Sequence, residues 1–320
     1  MKNKIFNESI IAGGLLELNA QNIKLRKLQI NDGLTIHTCN DYGNSLEVIN
    51  EASFGIKEKL KLISKVYYKY PDVNHRRFRP LFLQLLEQKR RMGFIPKQWS
   101  IQICCFCPIK DLLSLNAQNF FKSIKENFGI KKIFLETYPI YNYSQNIFLL
   151  NNFYKGQLIF GLLGYQNLRN RVFRNENLFQ FSDRSLEIVF VGILGKGIHN
   201  KIVPQNQKEI FINKNLSYFL SNIKKNRLIK GITSFSSIDQ YEDLKKRFSK
   251  LQDLSTLETI DNDLVNKSIG EIHYFTNYDQ YGGYLPIKNY FIRPKLFLSK
   301  LKYLIISSLK SFKFSNNFFG

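Results

Sequence analysis

Short runs rich in β-branched and aromatic residues recur along the chain, at 10–13, 34–39, 60–66, 99–107, 130–138, 157–164, 186–194 and 229–235. Between most of them the apolar residues take helical spacing, as with Leu81, Leu85 and Leu86, then Phe120, Ile124 and Phe128, then Ile147, Leu150 and Phe153. Strands alternating with helices predict a parallel sheet, because each crossover returns the chain to the same end and packs a helix on the way. Eight such units close into a (β/α)8 barrel, an α/β fold whose chemistry sits at the carboxyl ends of its strands. A doubly wound open sheet is the rival, but no GxGxxG follows the first strand. No fixed-period repeat is present, which argues against a solenoid or propeller.

The barrel is expected over residues 1–254, leaving 255–320 as a C-terminal extension. That extension is polar and tyrosine-rich, broken at Gly282-Gly283 and Pro286, and ends in a basic amphipathic helix near 294–314. Phe297, Leu301, Leu304, Ile305, Leu309 and Phe312 share one face, and Lys295, Lys302, Lys310 and Lys313 the other. Such a helix suits peripheral contact with an anionic membrane, or docking on the barrel or a second chain.

The formal charge of +22, from 47 basic and 25 acidic residues, raises the question of an anionic partner. Lysine is abundant together with Asn, Ile, Phe and Tyr, the set that A/T-rich codons supply, so compositional drift explains much of it. No nucleic-acid motif is present, and nucleic acid is not an expected partner. Cys39, Cys104, Cys105 and Cys107 show neither zinc spacing nor a dispersed disulfide pattern, so no metal is expected and the thiols read as buried and free. No secretory signal is visible, and no apolar run approaches the ~20 residues a membrane span needs. The expected location is the cytoplasm, with membrane contact, if any, through the tail helix.

Residues 32–50, DGLTIHTCNDYGNSLEVIN, read as a strand, a polar loop and a helix after Ser45. This stretch resembles the aldo/keto reductase signature, in which a strand ends in Asp-Thr-Ala, then two residues, then Tyr-Gly and a serine. Thr38, Tyr42, Gly43 and Ser45 match, while His37 stands in the place of the aspartate. Ser64-Lys65 is similar to the Thr-Lys that ends the family's third strand, and Arg91-Met92-Gly93 to a helix end reading Arg-Leu-Gly. Where the fourth strand runs into His-x-Pro, this chain has Phe106-Cys107-Pro108. Asn167-Leu168 matches a pair placed beside the cofactor, and the resemblance continues in order to about residue 250.

The resemblance implies hydride transfer between NADP(H) and a small carbonyl substrate, with Tyr42 as proton donor. A free phenol has a pKa of about 10; Lys65, at the end of the neighbouring strand, is expected to pull it toward neutrality. In the family the aspartate at the position of His37 holds that lysine by an ion pair. A neutral His37 would accept a hydrogen bond from Lys65, a protonated one would repel it, and His37 is also the candidate to replace the carbonyl donor lost at Phe106. Losing one preorganised donor costs ~2.7–4 kcal/mol of transition-state stabilisation. The alternative is therefore an inactive barrel, a binding or scaffold protein that has lost the reaction. His75, His199 and His273 have no partners at ligand spacing.

For the cofactor, Gly231, Thr233, Ser234 and Ser236 end a strand and precede a helix near Asp239, so helix amides and hydroxyls there form a phosphate site or an ordinary serine-rich N-cap. By the resemblance, Gln240 and Asp243 match positions around the adenosine end, and Lys245, Lys246 and Arg247 are placed to neutralise a 2′-phosphate.

Overall fold

The computed structural model describes residues 2–14, 16–68, 78–104, 107, 109–136, 144–165, 186–193 and 226–251, with 209, 212–213, 216–217, 219–220 and 223. The extension at 255–320, its amphipathic helix, Phe106 and Asn167 lie outside the described residues.

Eight strands form one closed, all-parallel barrel in sequence order. They are β1 (Ile10–Gly13), β2 (Thr35–Cys39), β3 (Lys61–Tyr67), β4 (Gln98–Cys104), β5 (Lys132–Glu136), β6 (Ile159–Tyr165), β7 (Ile188–Val191) and β8 (Ile229–Ser234). The closing pair is β1 with β8, in the register Ile11 to Ile232. The expected (β/α)8 fold is thus the observed one, and closure leaves no exposed sheet edge. Within the runs at 99–107 and 130–138 the described strands span Gln98–Cys104 and Lys132–Glu136, and toward their carboxyl ends the interior turns polar.

Around the barrel lie α1 (Lys2–Ser9), α2 (Ala20–Asn31), α3 (Ser45–Ala52), α4 (Arg79–Met92), α5 (Ile109–Leu112), α6 (Leu115–Phe128), α7 (Ser144–Phe153) and α8 (Ile238–Leu251). α6 shows the local logic: the Ser114 hydroxyl accepts from the Ala117 amide, and Gly129, at φ +69°, ends the helix in a left-handed turn. Its Phe120, Phe121, Ile124 and Phe128 face the barrel.

Two helices, α1 and α2, have no counterpart in the periodicity reading. α1 is held by Phe6, whose ring meets Phe248 edge-on at 5.2 Å and Tyr241 at 5.9 Å. α2 buries Arg26 and Gln29 beside Leu25 and Ile30, so its inner face is half polar.

The core has two shells. Strand residues such as Ile36, Leu62, Ile101 and Ile133 pack outward against the helices. Ile11, Ile63, Phe134, Leu163, Val189 and Ile232 fill the barrel itself. Toward the amino ends of the strands, Glu187 takes Lys132 at 2.5 Å and Lys230 at 2.8 Å. Burial pushes the Glu187 carboxyl up, but the two ammonium groups outweigh it and hold it below its ordinary value. Cys39, Cys104 and Cys107 are buried and not joined in disulfides. Among the described residues no helix is long and apolar enough to cross a membrane.

Candidate active site

Above the apolar plug, at the carboxyl ends of the strands, the barrel interior turns polar. Inward-facing positions alternate along each strand, and the register places Lys65 of β3 between Cys39 of β2 and Gln102 of β4. β5 brings Glu136 to the same level, one step past the plug residue Phe134 on its face.

His37, Gln102, Glu136 and Lys65 form one connected group. His37 Nε2 lies 2.6 Å from Gln102 Oε1. Gln102 Nε2 donates to Glu136 Oε2 at 2.8 Å, and Lys65 Nζ lies 3.8 Å from that oxygen. A carboxylate only accepts, so the Gln102 amide must present its NH2 to Glu136 and its oxygen to His37. His37 therefore carries its proton on Nε2 and donates it to Gln102. The structure gives His37 a partner absent from the sequence reading, Gln102 of β4, and this tautomer leaves the ring no N–H for a substrate. Burial pushes the His37 pKa down to about 4, with Lys65 adding to the effect and the Gln102 bond opposing it. The ring is neutral at pH 7.

Tyr42 closes over this group from the turn after β2. Its ring stands edge-on to His37 with centroids 5.9 Å apart, and it is near enough to Lys65 for each to act on the other's ionisation. Burial disfavours the Lys65 ammonium, yet Cys104, Glu136, Tyr67 and Tyr42 around it prevail, and its pKa stands well above the ordinary lysine value. Tyr42 departs from expectation. Burial raises its phenol above the free value, and the pull of Lys65 does not overcome that. The phenol is a proton donor at neutral pH, not a partly ionised base. Cys39, its Sγ 3.8 Å from the Tyr67 hydroxyl, is likewise pushed up by burial to about 11.

α4 fixes this constellation from outside. The Gln84 side chain bonds both the amide and the carbonyl of Tyr67, and Gln88 donates to the Lys65 carbonyl. Arg91 grips the Tyr42 turn: Nη1 donates to the Asn40 carbonyl at 2.8 Å and Nη2 to the Gly43 carbonyl at 2.6 Å. Nε and Nη2 also hold both oxygens of Glu47, on α3, at 2.6 and 2.7 Å. Below the turn, the Thr38 hydroxyl donates to Ser45 Oγ at 3.0 Å.

The residues expected around a phosphate divide. Ser234 is exposed at the end of β8 beside Gly14, and Thr233 is buried. Gly231 lies inside β8 and faces outward, where a Cβ would fall 2.6 Å from Ile193 Cγ2 and 2.8 Å from Phe219 Cζ. It serves close packing of the outer shell rather than the loop. At the start of α8 the Ser236 amide and hydroxyl both donate to Gln240 Oε1, and Ser237 Oγ accepts from the Gln240 amide. Ser237 caps the helix through its hydroxyl, while Gln240 reaches back to Ser236, one residue before the cap; of the first-turn amides this answers that of Gln240, leaving those of Ile238 and Asp239 to solvent or to an anion. The basic set beyond is a correction. Lys245 pairs with Asp32 at 2.8 Å, and Arg247 with Asp243 and Glu209, so these two cations and Asp243 are engaged elsewhere.

The sequence reading missed three groups at this end: Gln102, the inward amide near the end of β4; Glu136, the acid at the end of β5; and the Arg91–Glu47 clasp. The first two were visible as polar residues at inward parity on strands, but their meeting depends on barrel closure.

No family model matches the chain, and no curated protein matches it in sequence. Among solved structures, the chain is similar to the thermostable aldo-keto reductase Tm1743, determined with the inhibitor epalrestat, at 15% identity and a TM-score of 0.55. The match covers 82% of this chain and 94% of that one. At that identity the likeness is one of fold: this chain is built on the same closed eight-stranded barrel as an aldo-keto reductase.

Proposed function

We propose that the chain is an NADP(H)-dependent carbonyl reductase of the aldo/keto reductase type, acting in the cytoplasm at the mouth of its barrel. The observation that carries this reading is the meeting of a half-buried phenol (Tyr42) with a half-buried ammonium (Lys65) at the carboxyl ends of β2 and β3, close enough for each to act on the other's ionisation. NADPH, when bound, supplies the hydride for the carbonyl carbon. Tyr42 gives its proton to the carbonyl oxygen as negative charge develops there. Lys65 stabilises the phenolate that remains, and solvent returns the proton. His37, neutral and tied to Gln102, acts as a strut in this reading. Ser234 and the amides of Ile238 and Asp239 suit a phosphate of the cofactor; with Lys245 and Arg247 engaged, exposed Lys246 is the remaining cation of that set.

Two measurements test this. NADPH fluorescence should change saturably on titration, and simple aldehydes should then be reduced with a rate that Tyr42→Phe lowers by about 10²–10⁴-fold, the span of a lost general acid, while binding persists. Absence of both binding and turnover overturns the reading. Binding without turnover favours the second reading, an inactive barrel that serves as a binding or scaffold protein.

A further inference from the structure

A lysine ammonium inside a barrel needs an anion, because an unpaired buried charge is strongly destabilising. β2 offers none facing inward: its residues are Thr35, Ile36, His37, Thr38 and Cys39. We infer that Glu136, contributed by β5, is the counter-charge that positions Lys65, and that His37 and Gln102 are the struts that hold Glu136 in place. The inference rests on the proposed role of Lys65 for its catalytic meaning, but not for the pairing itself.

The geometry carries it. The Glu136 side chain is 4% exposed and its Oε2 receives the Gln102 amide at 2.8 Å, with Lys65 Nζ 3.8 Å away. Gln102 keeps this orientation only while residue 37 donates to its oxygen, which His37 does at 2.6 Å. An aspartate at 37 cannot donate. It would turn the amide over, pointing the Gln102 oxygen at the Glu136 carboxylate. His37 and Glu136 are therefore a matched pair: the negative charge sits on β5 because residue 37 is a donor. The converse pair, an acid at 37 with an amide at 136, satisfies the same Gln102 in its flipped orientation. Among the described residues, the ionisable groups that face Lys65 include Cys104 on β4, Glu136 on β5, Tyr67 on β3, Tyr42 in the turn, and Cys39 and His37 on β2.

The test reads the lysine directly. In protein labelled with 13C at lysine Cε, the Lys65 signal is assigned by its loss in Lys65→Met and followed by NMR to pH 11. Wild type should titrate well above a free lysine. Glu136→Gln should lower the midpoint relative to wild type, Glu136→Asp should keep it high, and His37→Asp combined with Glu136→Gln should restore it. A Lys65 signal that titrates alike in wild type and folded Glu136→Gln overturns the inference, as does a double variant no better than Glu136→Gln. Should Glu136→Gln not fold, rescue of folding by the added His37→Asp is the expected result, and its absence overturns the inference. NADPH binding measured on the same samples keeps the two readings apart. A moved midpoint without any nucleotide binding removes the reductase and leaves the ion pair.

Discussion

Arg91→Met isolates the grip that holds the Tyr42 turn. The wild-type guanidinium makes four charge-assisted bonds of 2.6–2.8 Å, two to the Glu47 carboxylate and two to the carbonyls of Asn40 and Gly43. Bonds to charged groups contribute about 1.5–3 kcal/mol each net, but the four share one side chain and do not add. The Arg91 side chain is 14% exposed and Glu47 31%, so water replaces part of what is lost on the carboxylate side. The expected cost is about 2–4 kcal/mol. The chain has one tryptophan, Trp99, buried against Phe128 with its indole N–H on Ser64 Oγ, and it reports the unfolding of the barrel directly. With a urea slope of roughly 3 kcal/mol/M, the midpoint of Arg91→Met should fall by about 1 M. Arg91→Lys keeps the charge but loses the planar fork and should recover less than half of that. Acid adds a second signature. The Arg91 hydrogen bond holds the Glu47 carboxyl below its ordinary value, so the contribution is full above the unfolded carboxylate pKa and fades as pH falls through the folded one. The gap between wild type and Arg91→Met should therefore narrow below about pH 4. An unchanged midpoint, or a gap that is constant with pH, refutes the clasp.

Two further perturbations follow from the same geometry. His37 has a folded pKa of about 4, below the unfolded value, so its contribution is full above about pH 6.5 and is lost as pH falls toward 4, an effect of order 3 kcal/mol. His37→Asn should flatten that part of the stability–pH curve in urea titrations, and an unaltered slope between pH 4 and 6.5 contradicts a buried neutral imidazole. Gly231→Ala places a methyl 2.6 Å from Ile193 Cγ2 and should cost about 1–3 kcal/mol by overpacking without altering nucleotide binding. Lost binding at unchanged stability would return Gly231 to the phosphate loop.

The barrel was readable because its signals are local. Alternation within 34–39 and 60–66, helical spacing in 115–128 and 144–153, and the order of these runs need no knowledge of distant contacts. The meeting of Tyr42 and Lys65 was readable for the same reason, since adjacent parallel strands bring their carboxyl ends together. α2 was illegible because Arg26 and Gln29 occupy its inner face, bonded to the Ala12 carbonyl and to each other, which erases the apolar stripe that marks a helix. The serine-rich loop expected to hold a phosphate was half legible: its serines do end a strand and cap a helix, but Gly231 packs outward and Lys245 and Arg247 turn to Asp32, Asp243 and Glu209.

The sequence by itself determined the order of strands and helices, the closed α/β topology and the end of the barrel at which Tyr42 and Lys65 stand, because propensity, periodicity and chain connectivity act over a few residues. Only the tertiary structure decided the electrostatics of that end. Whether Tyr42 is acidic and whether His37 is charged depend on burial, which proton His37 carries depends on a glutamine two strands away, and the carboxylate nearest Lys65 comes from β5. Those are properties of an enclosed volume, set by which side chains share it and how little water enters.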